Sequence, residues 1–402
     1  MNRKLAKLLL GVLIVSTLLA GCAPKAPAKP IKIGLPVIQT GSDTYIHGEL
    51  VTYAATLAVE EINAKGGVLG RKLELVVMDD AGDAKQGVAA AHKFCDDPEV
   101  VAVLGHCYSG VTIPALPVYN QASMPVMVHG TNPRITELGY QANTVQNTPN
   151  DLITGQAAAD HAKEKLGIKS VAIIHNKSMW GQGVAGVFKG RCEEIGLKVT
   201  SYQGVDPEDV DFTPVLTKIK GENPDAVYFA GYTEQGLMRK QMVSLGMKNL
   251  WLAAEATSSE YIDITGQGGV GTISATAAPP MDFRDEMKTF AAAFEKRFGK
   301  KPESWCPYYY DMVYGIADAM KKAGKIDRAA ISAALKKVNI PSIIYPGGLQ
   351  FDDHGRVVKP VTFIYELKPD LKYQLVYLWE GKPPYQTMTA DNYKALIDSL
   401  TK

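Results

Sequence analysis

VVAVLGHCYSGVTIPALPVYNQASMPVMVHG, residues 100–130, decides how this chain folds. Val100 to Leu104 is a short, unbroken run rich in β-branched residues, the pattern of a strand covered on both faces. Gly105 ends it, a polar knot containing Ser109, Gly110 and Thr112 follows, and a stretch able to open a helix leads to a second apolar run ending at Val128. Strand, helix and strand in that order wind into a βαβ unit with parallel strands. Where such a strand gives way to a helix, unpaired backbone N–H groups face the loop, and hydroxyls beside them make a place for an anion. That anion could be a phosphate, a reaction intermediate or the carboxylate of a small ligand.

The alternation extends in both directions. IKIGLPV (31–37) and KLELVVMDD (72–80) read as strands, with helical spacing over residues 50–65 and 84–94. After about residue 148 the pattern restarts: strands at SVAIIHN (170–176), KVTSYQG (198–204), DAVYFAGY (225–232) and NLWLAA (249–254), with helices from 181, over 213–220 and from 233. Further helical spacing over 285–298, 308–322 and 327–337 precedes the strand-like runs VTFIYEL (361–367) and QLVYLWE (374–380), and the first lobe receives part of this later stretch. The expected fold is α/β, with two doubly wound parallel-sheet lobes. Ligands of such sheets sit beyond the carboxyl ends of the strands, so the loops after the strands are the places to search.

The N-terminus carries Arg3, Lys4 and Lys7 before an apolar run, Leu8 to Ala20, that is short for a bilayer span and reads as an export signal over residues 1–21. It ends Leu19-Ala20-Gly21-Cys22, which resembles the lipobox of bacterial lipoproteins, implying lipidation of Cys22 and anchorage to the cell envelope. The proline- and lysine-rich residues 22–30 suit an extended tether. No other segment reaches membrane-spanning length, so an extracytoplasmic soluble body is expected. Its roughly 370 residues exceed what one core usually holds. The net charge of +1, without basic runs beyond the signal, excludes nucleic acid as a partner. Four cysteines remain in the body; Cys95 and Cys107 are separated by a whole strand, roughly 17 Å, so no disulfide joins them.

EEINAKGGVLGRKLELVVMDDAGDAKQGVAAA (60–91), GHCYSGVTIPA (105–115), GTNPRIT (130–136), IIHNKSMWGQGVA (173–185), DFTPVLTKIKGENPDAVYFAGY (211–232) and LQFDDHG (349–355) together resemble the type I periplasmic binding proteins of ABC importers, in particular the leucine/isoleucine/valine-binding branch. The resemblance covers nearly the whole body. It implies two lobes joined by a three-strand hinge, with crossings near residues 147, 278 and 351: residues 31–147 and 279–350 in one lobe, 148–278 and 351–402 in the other. It also implies an amino acid as ligand, a permease and an ATPase as partners, a monomer, and neither cofactor nor catalysis.

By the same resemblance Ser109 holds the ligand carboxylate, which its hydroxyl and a helix N-terminus could neutralise without a formal positive charge; an N-cap is the plain alternative. Thr131, supported by backbone groups of His129, is the second carboxylate contact, against an ordinary turn role. Glu255, directly after the apolar run Leu250 to Ala254, matches the ammonium acceptor; buried without a cation it would be costly, and a solvated loop charge is the alternative. Tyr232 faces the amine. Trp180 stands where the family carries tyrosine, Trp305 at an aromatic contact, and His47, next to Tyr45, where relatives have an aromatic. These departures bear on leucine-like selectivity more than on the amino-acid handle.

Other readings fit less well. Ser109, His47, His106, His129 and the acids Asp79 and Asp80 can be arranged into a triad on paper, but the serine lacks a GxSxG elbow. GQGGVG (266–271) fits GxGxxG formally yet follows no strand. The three histidines have no metal-ligand spacing. A receptor domain, or the same fold binding an amide, urea or aromatic acid, remains open; loss of the ammonium would make Glu255 unnecessary.

Overall fold

A computed structural model describes residues 28–40 and 48–380. The export signal, Cys22, Tyr45 and His47 lie outside the described residues.

The first sheet is built from β1 (Ile31–Val37), β2 (Leu73–Asp79), β3 (Val100–Leu104), β4 (Val126–Val128) and β5 (Thr144–Gln146). Its order is β2-β1-β3-β4-β5, and every pairing is parallel. The connections are α1 (Gly48–Ala64), α2 (Ala84–Asp96) and α3 (Ser109–Gln121). Val100 to Leu104 is buried at every position, as its unbroken apolar run requires. Helix α2 starts on a side-chain cap, Asp83 accepting from the N–H groups of Lys85 and Gln86.

The second sheet takes β6 (Ser170–His175), β7 (Lys198–Gly204), β8 (Ala226–Ala230), β9 (Leu250–Ala254), β10 (Ile273–Thr276), β13 (Val361–Leu367) and β14 (Tyr373–Glu380), in the order β14-β13-β10-β9-β8-β6-β7. Its helices are α4 (Asp151–Glu164), α5 (Met179–Ile195), α6 (Thr213–Glu222), α7 (Glu234–Ser244) and α8 (Ser259–Thr265). This sheet is not parallel throughout: β13 runs antiparallel to β10, and β14 antiparallel to β13. The turn between β13 and β14, closed by the Lys368 N–H on Lys372 O at 2.9 Å, is too short for a crossover, so these two strands must pair as a hairpin.

Between β10 and β13 in sequence come α9 (Asp285–Phe298), α10 (Cys306–Ala323), α11 (Arg328–Leu335) and the small ribbon of β11 (Asn339–Ile340) and β12 (Leu349–Gln350). Helix α10 packs on α1 and β3, and α11 on β3 and β5, so this later stretch completes the first half. One apolar cluster joins Ile31, Ile33 and Leu35 of β1 to Met312, Val313 and Ile316 of α10.

The chain leaves the first half after β5, returns to it after β10, and leaves it again between β12 and β13. Buried tyrosines tie these passages together. Tyr308 donates its hydroxyl to Ala277 O at 2.7 Å and its carbonyl accepts from Asn147 Nδ2 at 3.0 Å. Tyr345 donates to Asn147 O at 2.6 Å, and Tyr365 to Ala278 O at 3.0 Å. Cys95, Cys107, Cys192 and Cys306 are free thiols.

Candidate functional site

Loops from the carboxyl ends of both sheets converge on one cavity, lined by Cys107, Tyr108, Ser109, His129, Thr131, Trp180, Tyr232, Glu255 and Trp305. It holds about 300 Å³ of space between atoms, part of it open to solvent, and a water-sized sphere can be centred in only about 20 Å³ of that. Seven of the eight site residues expected from the sequence therefore meet in one place; His47 lies outside the described residues. A wider hollow is lined by Ile38 to Thr40, Gly48 to Leu50, Thr52, Tyr53, Lys300, Lys301 and Glu303.

Ser109 is the first residue of α3, and the N-cap position belongs to Tyr108, which makes no side-chain capping bond. The serine hydroxyl instead accepts the Asn132 N–H at 3.1 Å. Because that bond uses an oxygen lone pair, the hydroxyl proton is left to donate. Gly130 lets the β4 loop approach: a Cβ there would stand 3.0 Å from Thr112 Oγ1 and 3.3 Å from Ser109 Cα. Asn132, not Thr131, caps the short turn that follows, accepting from the Arg134 N–H at 2.9 Å.

The Thr131 hydroxyl has a partner that the sequence did not point to. It donates to Asp151 Oδ2 at 3.1 Å, while the Asp151 N–H donates to Thr131 O at 2.9 Å. Trp180 Nε1 donates to the other Asp151 oxygen at 3.3 Å. A carboxylate contact from the Thr131 hydroxyl would require it to turn away from Asp151.

Glu255 and Asp151 form the acidic side of the site. Asp151, at the start of α4, is 1 % exposed, and burial pushes its carboxyl up to about 7 against the hydrogen bonds from Thr131 and Trp180. Glu255, just beyond β9, is 6 % exposed; burial, and secondarily the Asp151 charge, hold it well above the usual carboxylate range. Its backbone sits in the left-handed region at φ 60°, a conformation costing on the order of 1–3 kcal/mol for a residue with a side chain. Among the described residues no lysine or arginine lines the cavity. Two buried carboxyls that destabilise each other's charge are chemically suited to a cation brought in from outside.

Aromatic rings frame the rest. Tyr232 is stacked between Trp180, at 4.9 Å and 19°, and Tyr108, at 5.2 Å and 17°. Tyr108 comes from the first sheet's loop and the other two rings from the second half, so the stack bridges the halves. Beside it Asn132 Nδ2 donates to Met179 O at 2.9 Å. Gly183 makes room for that bridge, since a Cβ there would lie 2.5 Å from Asn132 Nδ2. Trp305 meets His129 edge-on at 4.9 Å, and Tyr309 stacks on the same ring at 5.3 Å.

The arrangement does not assemble a triad. His106 is buried with Nδ1 2.6 Å from Asp80 Oδ2, but its Nε2 is 3.0 Å from the Tyr119 hydroxyl, not Ser109. Among the described residues no group of three or more histidine, cysteine or acidic side chains is placed to hold a metal. Residues 266–269 form a short turn that follows α8 and not a strand.

Sequence reading missed Asp151 and Tyr108. Asp151 looks like any acid in the first turn of a helix, and nothing local marks it as buried. Tyr108 adjoins Ser109 and was visible, but its stacking partner is more than a hundred residues away.

The family model described as periplasmic binding protein matches residues 30–370. The chain is 33 % identical over 355 residues to Leu/Ile/Val-binding protein homolog 1 of Brucella abortus (strain 2308), covering 86 % of this chain and 92 % of that one. It is 31 % identical over 348 residues to the leucine-, isoleucine-, valine-, threonine- and alanine-binding protein of Pseudomonas aeruginosa, covering 85 % and 91 %. The crystal structure of a leucine binding protein, LivK, from Thermotoga maritima MSB8 is similar with a TM-score of 0.79 at 25 % identity, covering 87 % of this chain and 98 % of that one.

Proposed function

The chain belongs to the periplasmic binding protein family, and from that premise we propose that it is the extracytoplasmic solute-binding component of an ABC importer, closing its two halves on a neutral α-amino acid. One observation carries the choice of ligand. A single cavity is lined both by Ser109, at the N-terminus of α3, and by the buried acid Glu255, with Asp151 held behind Thr131 and Trp180. A zwitterion satisfies both ends: its carboxylate takes the hydroxyl and the helix N–H groups, and its ammonium meets an acid whose charged form burial disfavours. An amide, urea or aromatic acid brings no ammonium to that acidic side. The names of the curated relatives, a Leu/Ile/Val-binding protein homolog and a leucine-, isoleucine-, valine-, threonine- and alanine-binding protein, support the same class.

The three passages between the sheets act as the hinge, with lobes of residues 31–147 and 279–350 against 148–278 and 351 onward. The Tyr108–Tyr232 stack closes the cleft over the ligand, and the closed form is what a permease with its ATPase would recognise. The chain acts as a monomer, tethered to the envelope by a lipid on Cys22. Among the described residues no helix is long and apolar enough to cross a membrane. Native mass spectrometry of the purified protein, followed by calorimetry of the stripped protein with the neutral amino acids, tests the reading. An amino acid retained by the native protein and rebinding one to one is expected; no heat with any of them, and a retained ligand lacking an amine, would overturn it.

A further inference from the structure

His129 lines the cavity, is 2 % exposed, and uses only one of its ring nitrogens. Nδ1 lies 3.4 Å from Cys107 O; a carbonyl can only accept, so that nitrogen carries the proton and Nε2 presents a lone pair. Nε2 is buried and has no hydrogen-bond partner among the described residues. The other sides of the ring are taken: Tyr309 covers a face, and Trp305 and Tyr308 meet it edge-on. Burial also holds the imidazole down at about 4, so it stays neutral and cannot act as a second cation for the ligand carboxylate.

A buried acceptor left unpaired is costly, and a ligand side chain that supplies a donor removes that cost. We propose, resting on the amino-acid reading above, that His129 Nε2 selects for amino acids whose side chain carries a neutral N–H or O–H donor, over aliphatic side chains of the same shape. An acidic side chain is rejected for the complementary reason, since two acceptors would face each other.

Near-isosteric pairs test this without changing the protein: asparagine against leucine, and threonine against valine, by calorimetry on ligand-stripped protein. The donor-bearing member of at least one pair binds about tenfold or more tightly, as expected of a site built to hydrogen-bond its substrate. His129→Phe, which keeps a flat ring and removes the acceptor, reduces that ratio to near one. If neither pair favours the donor, or if the ratio survives His129→Phe in a variant whose circular dichroism matches the parent, the selection is overturned while amino-acid binding stands. If no amino acid binds at all, both readings fall. Should the variant not fold, the two ratios in the parent protein still decide.

Discussion

Glu255→Gln separates charge from shape. Glutamine keeps the length, an accepting oxygen and the same cost at φ 60°, and removes only the ionisable group. Two unit charges about 4 Å apart near a protein surface attract by about 4 kcal/mol at an effective dielectric of 20. Part of this is offset in the native site, because Glu255 is buried beside Asp151 and must give up a proton to meet an ammonium; each pKa unit of that work costs about 1.4 kcal/mol. The net loss of binding is therefore below about 4 kcal/mol, or less than roughly a thousandfold in Kd. The unliganded variant should be as stable as the parent or more so, since a neutral amide replaces a buried acid. Calorimetry in two buffers of different ionisation enthalpy reads both quantities: the parent releases protons on binding near pH 6, and the variant releases fewer. Unchanged affinity together with unchanged proton release would mean that the ammonium does not face Glu255.

Asp151 makes the stability of the unliganded protein depend on pH. Its folded value of about 7 lies above the ordinary 3.8, so its contribution is complete below about pH 3.8, declines as pH rises, and is gone above about 7. Asp151→Asn should flatten this slope, on the order of 1.4 kcal/mol per pH unit at most, in urea unfolding between pH 5 and 7; an unaltered slope refutes the assignment. Ser109→Ala leaves the buried Asn132 N–H without its acceptor and should cost about 1–3 kcal/mol of stability as well as weakening ligand binding. Equal melting of parent and variant would show that the Asn132 N–H finds another partner. Tyr108→Ala removes the ring that bridges the halves, worth about 0.5–1.5 kcal/mol, and should shift the unliganded protein toward open forms with a larger radius of gyration by X-ray scattering; identical scattering profiles would refute a closing role.

The winding of the chain was legible because its signals are local. Continuous β-branched runs such as Val100 to Leu104 differ from helical spacing such as 285–298 within a dozen residues, and βαβ order then leaves parallel pairing as the outcome. Ser109, Thr131, Trp180, Tyr232 and Glu255 were singled out by the family resemblance, and the same rule explains their placing, since each stands just past a strand, where parallel sheets gather their loops. The hairpin of β13 and β14 was missed only in direction, although its short turn was already present in the sequence.

Other features depend on groups brought together from far along the chain. Asp151 is a first-turn acid until Thr131 and Trp180 close on its two oxygens, and only then does burial raise its carboxyl. His106 could have served a triad or a metal until Asp80 and Tyr119 took both of its nitrogens. His129 keeps one nitrogen unpaired because Cys107 and three aromatic rings occupy its other sides. Hydrophobic period is written in neighbouring residues, so the sequence by itself determined the layers and the strand ends. Proton positions and charge states are set by which side chains meet across the cleft and by how much water they exclude, and these the tertiary structure alone decided.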